Sequence, residues 1–163
     1  MNAAAIDIRE EEDGAAIAGG LFRRSFGDEP PAFPHHVIAY HRDARGGEVA
    51  ACYVHFTPAG RILLGGGACV DRRAMRAMGP REREAVRAAG GLYRMTLEWA
   101  TRHFAPSYDA IFGYCGDPLA ERVDRSVGFR KTGHAHLLVY WLRDLAAHER
   151  ERLVAQANSY GPF

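Results

Sequence analysis

Hydrophobic and polar residues alternate in some segments of the chain and recur every three or four positions in others. Alternation predicts strands, and the longer spacing predicts helices. Ile6 and Ile8 share one face of a short first strand, whereas Ile17, Leu21 and Phe22 lie at helical spacing. In the first half of the chain these patterns predict, in order, a strand at 3–9, a helix at 13–26, and strands at 36–42, 48–56 and 61–70.

Glycine and proline mark the connections between these segments. The short turns at 43–47 and 57–60 predict that the three strands they join are antiparallel neighbours. Three prolines between positions 30 and 34 predict a loop after the first helix. The run Gly65–Gly67 lies inside a predicted strand, where glycine indicates a β-bulge or the close approach of another group to the backbone.

Helices dominate the second half of the chain. Pro80 suits the first position of one helix, and Asp117 suits the N-cap of another, which Gly128 would end. The predicted elements are helices at 80–89 and 92–104, a strand at 110–115, a helix at 117–127, strands at 130–133 and 136–142, and a polar helix at about 145–157. This mixture of strands and helices is typical of the α+β class.

Composition and charge narrow the class of protein. The 163 residues are 47% hydrophobic and 25% charged, which is the size and composition of a single globular domain. With 21 basic and 20 acidic residues the net charge is +1, so we expect no nucleic acid as a partner. An apolar run of about 18 residues is absent and no signal pattern opens the chain, so we expect no membrane association and a cytoplasmic location.

The cysteines and histidines do not predict a metal site. Cys52, Cys69 and Cys115 are odd in number, lack CxxC spacing and lie in mostly apolar surroundings, which favours buried thiols. His134 and His136 would share one face of a strand, but a third and a fourth ligand cannot be named. We therefore expect no metal ion.

The segment 87–92 carries the first functional signal, because Gly90 and Gly91 precede a helix. The N-terminus of a helix has unpaired N–H groups and a partial positive charge, and glycine lets an anion approach them closely. The two glycines can equally be a plain joint between two helices. A rival loop at 76–79 is followed by a proline, which has no N–H to donate. The arginines within 72–87 suit phosphate, or form an ordinary solvated helix face.

A second motif follows the strand at 110–115. Asp117 and Ala120, with Gly128 and Phe129 downstream, have a spacing that resembles the GNAT superfamily of acyl-CoA-dependent N-acyltransferases. The order of the elements is similar over nearly the whole chain. The resemblance implies one domain over residues 1–163, built on a mostly antiparallel twisted sheet of about seven strands with helices on both faces.

The same resemblance implies a co-substrate, acetyl-CoA or another acyl-CoA, and an amine acceptor that the sequence does not identify. It implies main-chain contacts from the end of the glycine-rich strand and pyrophosphate binding at the glycine-opened helix. The residues that it assigns to coenzyme A are Cys69, Val70, Arg87, Ala89, Gly90, Gly91, Leu92, Asp117 and Ala120.

Three features depart from the pattern of the family. Leu92 stands where a small residue is usual, and about a dozen extra residues separate the strand from Arg87. Asp124 stands in place of a tyrosine that commonly protonates the departing thiolate, and an exposed carboxylate has no proton to give at neutral pH. We therefore consider Tyr114 as the acid. Asp71 is a candidate general base, or else the cap of the following helix.

Two hypotheses follow. The first is a cytoplasmic acyltransferase in which the amine attacks the acyl-CoA directly within a ternary complex. The alternative is a protein of the same fold that has lost catalysis and binds coenzyme A or a protein partner. A homodimer through the last strands is a further possibility.

Overall fold

A computed structural model of the protein describes residues 6–30 and 35–163. Within these ranges it contains one seven-stranded sheet, in the order β1-β2-β3-β4-β5-β7-β6. The strands are β1 (Ile6–Glu11), β2 (His35–Arg42), β3 (Glu48–Ala59), β4 (Ile62–Val70), β5 (Ala110–Tyr114), β6 (Arg130–Lys131) and β7 (Leu137–Trp141). The helices are α1 (Gly14–Phe26), α2 (Arg72–Ala77), α3 (Pro80–Ala88), α4 (Leu92–Phe104), α5 (Pro118–Val127) and α6 (Ala147–Ser159).

All neighbouring strands of this sheet are antiparallel except β4 and β5. The parallel ladder between these two runs only from Ile62–Ala110 to Gly65–Gly113. Beyond that point β4 continues to Val70 beside β3, while β5 ends one residue later, beside β7. The predicted α+β class and mostly antiparallel sheet are confirmed, and a gap opens between β4 and β5.

A β-bulge lies at the start of this gap. Tyr53 pairs with Cys69 and His55 pairs with Gly66, so Gly67 and Ala68 together face one residue of β3. Gly67 has a φ angle of +58°, which side chains other than glycine rarely adopt. The bulge predicted from the glycine run is confirmed.

Helices cover both faces of the sheet. On one face a large core lies between the sheet and α4, with α2, α3 and Phe129 at its margins. On the other face α1 packs over β2 and β3, and α6 packs over β4, β5 and β7. The two faces are called the α4 face and the α1/α6 face below.

The extra residues between β4 and α4 form two packed helices, and the sequence analysis set bounds only for the second. Ala74, Met78 and Val86 are buried in the core of the α4 face. Glu82 of α3 accepts a hydrogen bond from Nδ1 of the buried His41 at 2.7 Å, which ties the insertion to β2. Periodicity could not set the bounds of α2, because it has only six residues, three of them arginine, which are too few to establish a period.

Several predicted boundaries were wrong. β3 runs on through residues 57–59, because Gly60 and Arg61 alone join Ala59 to Ile62. β7 begins at Leu137, and His136 has a φ angle of +66° in the preceding turn, so His134 and His136 do not share a strand face. The predicted residues 3–5 and the loop positions 31–34 lie outside the described residues. No helix in the described ranges combines the length and the apolar character that crossing a membrane requires.

Two glycines of α1 give opposite expectations for stability. A Cβ at Gly14 would lie 2.1 Å from Cβ of His36, so Gly14→Ala should lower the free energy of unfolding by about 1–3 kcal/mol. At Gly20 the nearest neighbour is the flexible end of Arg24 at 3.4 Å, so Gly20→Ala should raise it by up to ~1 kcal/mol. Urea unfolding of the two variants measures both, and equal effects would contradict the described packing of α1.

Candidate functional site

A cavity of about 310 Å³ lies where β4 and β5 part. It extends to both faces of the sheet, since Tyr93 and Asp124 line it from the α4 face and Phe26 lines it from α1. Its remaining walls are mostly main chain and apolar side chains. They include Val54, Phe56, Gly65, Gly66, Gly67, Leu97, Ile111, Gly113 and Phe129. A channel of this kind can hold two reactants that approach from opposite sides.

The edge of β4 offers free main-chain groups to this gap. The N–H of Asp71 donates to the carbonyl of Ala51 at 2.8 Å, and Tyr53 pairs with Cys69. Because antiparallel strands alternate, the main-chain groups of Cys69 face β3 and those of Val70 face the gap. The side chain of Cys69 is buried against α1. Val70 therefore supplies the strand edge, and Cys69 holds that edge to β3.

A buried carboxyl group and a phenol meet at the α4 side of the cavity. The hydroxyl of Tyr93 donates to Oδ1 of Asp124 at 2.6 Å, and Asp124 is only 5% exposed. Burial raises the pKa of Asp124 above its ordinary range, and burial together with the neighbouring carboxylate raises the pKa of Tyr93. The premise that Asp124 is an exposed carboxylate is wrong, because α5 turns this residue towards α4.

Tyr114 and Cys115 lie on opposite sides of the sheet at the end of β5. The ring of Tyr114 lies 5.7 Å from His136 and 6.1 Å from Phe163, between ring centroids, on the α1/α6 face. Cys115 lines the cavity with Asp124, and its thiol donates to the carbonyl of Asp117 at 3.3 Å. Burial raises the pKa of Cys115, which keeps it a thiol at neutral pH. All three cysteines are free.

Asp71 lies outside the lining of the cavity and serves as the cap of α2. Its Oδ1 accepts the N–H of Arg73 at 2.8 Å, and its Oδ2 forms an ion pair with Arg24 at 2.8 Å. The side chain is thus held by two partners, and the residue is 8% exposed. Of the two roles that the sequence left open, the structure displays the cap.

Gly90 and Gly91 end one helix and begin the next. The N–H of Gly90 donates to the carbonyl of Arg87, and the N–H of Gly91 donates to the carbonyl of Val86. The φ angle is +87° at Gly90 and +98° at Gly91. This hydrogen-bond pattern is a Schellman motif at the end of α3. Gly91 is also the N-cap of α4 and provides no side chain to bond the first-turn N–H groups. The two glycines therefore join α3 to α4 and also leave the first turn of α4 without a capping side chain.

The other residues assigned to coenzyme A surround these two features. Arg83 and Arg87 line a cleft of about 420 Å³ together with both glycines, and Arg87 also pairs with Glu84 at 3.0 Å. Ala89 caps the end of α3, and the side chain of Leu92 is buried in the core. Asp117 caps α5 by accepting the N–H of Leu119 at 3.0 Å, and Ala120 lines the main cavity.

The sequence analysis missed His55, which lies against the bulge. A Cβ at Gly67 would lie 2.3 Å from Cε1 of His55, and a Cβ at Gly66 would lie 3.2 Å from its Nε2. Its Nδ1 is buried without a hydrogen-bond partner among the described residues. Burial, with a smaller effect from His36, lowers the pKa of His55 to about 4. The alternation of residues in β3 indicates the face of the sheet on which His55 lies, but only the register with β4 shows that it contacts the bulge.

No family model and no curated protein matches the sequence. Among solved structures, the ribosomal-protein-S18-alanine N-acetyltransferase from Escherichia coli has a TM-score of 0.57 at 11% identity, over 87% of this chain and 97% of that chain. The ribosomal-protein-S5-alanine acetyltransferase from Vibrio fischeri has a TM-score of 0.56 at 12% identity, over 90% and 98%.

The catalytic domain of the Tetrahymena GCN5 histone acetyltransferase, in complex with coenzyme A, has a TM-score of 0.50 at 10% identity. That likeness covers 91% of this chain and 99% of that chain. At such low identities the likeness establishes the arrangement of the chain. Together with the sheet order and the parting of β4 from β5, it shows that this chain has the fold of the GNAT superfamily of acyltransferases.

Proposed function

We propose that the protein is an acyl-CoA-dependent N-acyltransferase, with acetyl-CoA as the simplest acyl donor. The observation that carries this proposal is the gap between β4 and β5. A cavity that reaches both faces of the sheet is lined there by residues 65–68 of β4, two residues before the main-chain edge at Val70. The likeness to acetyltransferase structures, one of them a complex with coenzyme A, supports it.

The α4 face suits the coenzyme A half of the donor. The pantetheine arm carries amide groups, which can pair with the N–H and C=O of Val70 as an additional strand would. The open N-terminus of α4 suits the pyrophosphate, and Arg83 and Arg87 add positive charge beside it. The side chain of Asp117 already caps α5, so Asp117 and Ala120 act as walls rather than as ligands for phosphate.

The proposed reaction is direct acyl transfer. The lone pair of the amine attacks the thioester carbonyl carbon, the C–N bond forms, and the C–S bond breaks with its electron pair on sulfur. A main-chain N–H at the bulge polarises the carbonyl. In this proposal the thiolate takes a proton from the carboxyl group of Asp124, which is buried at the α4 side of the cavity and whose pKa burial raises above the ordinary value. The amine gives up its own proton to water on the other side of the sheet.

Tyr114 is a second candidate for the acid, because it also lines the cavity. It lies on the α1/α6 face, however, whereas the coenzyme A side of the cavity carries Asp124 and Tyr93. We therefore place the proton donor at Asp124 and expect Tyr114 to contact the acceptor. Asp71, held by Arg24 and Arg73, has no role in proton transfer in this proposal.

The alternative, binding of coenzyme A without catalysis, is favoured by the carboxyl group at position 124, where the resemblance implies a tyrosine. Calorimetric titration with acetyl-CoA and with free coenzyme A tests the feature that both functions share. Release of free thiol in the presence of amines then separates them. Micromolar binding without any transfer to amines would favour the alternative, and no binding would exclude both.

Gly113 offers a way to block the cavity without disturbing the fold. It lines the cavity, lies in β5 on the α4 face, and a Cβ there would meet nothing within 4 Å. Gly113→Val should weaken the binding of coenzyme A by at least about tenfold, or ~1.4 kcal/mol, by filling the space of the pantetheine arm. Calorimetry measures the change.

The matched control is Gly79→Val at the N-cap of α3, where a Cβ also meets nothing within 4 Å and φ is −65°. This variant lies away from the cavity lining and should bind coenzyme A as the unchanged protein does. If Gly113→Val and Gly79→Val both bind coenzyme A like the unchanged protein, coenzyme A does not occupy the gap.

The assignment of the acid is tested by Asp124→Asn, which removes the proton donor and keeps an acceptor for the hydroxyl of Tyr93. We expect kcat to fall by about 100-fold or more, with little change in the dissociation constant of coenzyme A. The companion variant Tyr114→Phe should retain kcat within about threefold. The opposite ranking of the two variants would assign the acid to Tyr114.

The raised pKa of Asp124 also makes a prediction for stability. The folded protein holds the Asp124 proton more tightly than the unfolded chain does. This difference stabilises the fold below the ordinary carboxyl pKa of about 3.9, and the stabilisation is lost as the pH rises through the higher pKa of the folded state. The free energy of unfolding of Asp124→Asn, relative to the unchanged protein, should therefore increase from about pH 4 upwards and then level off. Urea unfolding across this range measures it, and a difference that shrinks with rising pH would refute the raised pKa.

A further inference from the structure

The cavity between β4 and β5 has a deep end that is apolar and lies in the core of the α4 face. Val54 and Phe56 of β3, Leu97 of α4 and Ile111 of β5 line it, and each is at most 4% exposed. All four belong to the hydrophobic cluster between the sheet and α4. The cavity therefore reaches past the strand edges into the core, which main-chain binding of a pantetheine arm alone does not require.

The ionisable side chains that line the cavity lie nearer its mouth, where the two strands have parted. Tyr93 is in the first turn of α4, and the others, Tyr114, Cys115, Asp117 and Asp124, belong to the end of β5, the loop after it or α5. Among the described residues, no arginine, lysine or histidine lines the cavity. A charged group at the deep end would therefore lose its hydration without gaining a partner.

The order of residues along the two strands gives the direction in which a bound acyl-CoA would lie. The N-terminus of α4 and the strand edge at Val70 are at the wide end of the gap, and the strands meet again at the pair Gly65–Gly113. A donor whose pyrophosphate lies at the N-terminus of α4 therefore enters the gap with its acyl group foremost. The cavity continues from that pair into the deep end.

The length of the deep end sets the length of the acyl chain that fits. A strand advances about 3.3 Å per residue, so Ile111 lies about 6.6 Å beyond Gly113 along β5. An extended chain advances about 1.2 Å per covalent bond, because a residue with its three backbone bonds spans at most ~3.6 Å. The distance between these two residues thus corresponds to about five or six bonds, which is an acyl chain of about six carbons.

We propose that the preferred donor carries an apolar acyl chain longer than acetyl, for which hexanoyl-CoA is the representative. This inference rests on the proposed function, since it names the donor class of the same site. The thioester lies beside Gly113, where a Cβ would meet nothing within 4 Å, and the chain continues to Leu97 and Ile111. An acetyl group, with one methyl group beyond its carbonyl, would end short of both. The reaction is unchanged: the amine bonds to the carbonyl carbon, and coenzyme A leaves as the free thiol.

The burial of methylene groups is the physical source of this preference. Each methylene group that moves from water to an apolar site raises the affinity about fourfold, as long as the site has room for it. A succinyl group ends in a carboxylate, for which the described lining of the deep end offers neither a cation nor a polar side chain. A chain much longer than hexanoyl would have to displace closely packed core side chains.

The test is a series of donors with the unchanged protein: acetyl-, butanoyl-, hexanoyl-, decanoyl- and succinyl-CoA. Calorimetry measures the dissociation constant of each. We expect this constant to fall from acetyl to hexanoyl by at least about tenfold, to rise again for decanoyl, and to be no lower for succinyl than for acetyl. Equal affinities for acetyl-CoA and hexanoyl-CoA, or an affinity that still rises through decanoyl-CoA, overturn the inference.

Two leucine variants locate the chain. Leu97→Phe places a larger side chain at the deep end and should bring the dissociation constants of hexanoyl-CoA and acetyl-CoA within about threefold of each other. Leu153→Phe is the matched control, because Leu153 is buried to the same degree, at 3% exposed, but lies in α6 on the opposite face and outside the cavity lining. It should keep the preference for hexanoyl-CoA. If a folded Leu97→Phe protein also keeps it, the chain does not lie at the deep end, and if that variant does not fold, the donor series still decides.

Failure of the proposed function gives a different result from failure of this inference. If neither free coenzyme A nor any of the donors binds, the proposed function falls and the inference falls with it. If coenzyme A binds and the donor series shows no preference for hexanoyl-CoA, the function stands and the donor class is wrong. If hexanoyl-CoA is preferred but no amine releases thiol from it, the apolar site stands and catalysis falls.

Discussion

The parting of two parallel strands is the constraint on which the rest of this structure depends. β4 and β5 share four residue pairs and then follow different partners, because the bulge keeps the end of β4 against β3. The bulge itself needs a left-handed residue, and Gly67 provides it with a φ angle of +58°. A regular ladder along the whole of β4 would close the gap and leave no passage between the faces of the sheet.

Much of this arrangement is readable in the sequence, because it depends on residues with strong backbone preferences. The glycine run of β4 and the pair Gly90–Gly91 signal a bulge and a helix joint without any tertiary information. The class of fold follows from the order of the elements. What periodicity cannot supply is the packing of short polar pieces: α2 has only six residues and is held by the cap from Asp71 and by the core beneath it.

The burial of individual side chains was harder to predict than the elements that carry them. Asp124 reads as a surface carboxylate in a polar helix, and its environment is set by Tyr93, 31 residues away along the chain. His55 reads as one histidine among eight, and its role depends on which residues of β4 lie opposite it. The environments of Asp124 and His55 each depend on how two separate elements pack together, so the sequence of one segment alone cannot predict them.

The main-chain edge at the end of β4 has a consequence for which substitutions such a protein tolerates. The groups that face the gap at Val70 are peptide N–H and C=O, and any residue compatible with a strand supplies them equally. A requirement for these groups constrains the path of the backbone and the positive φ angle of Gly67, and it places little constraint on the side chains. Chains of very different sequence can therefore build the same crevice, and this chain shares only 10–12% of its residues with solved structures of the same fold.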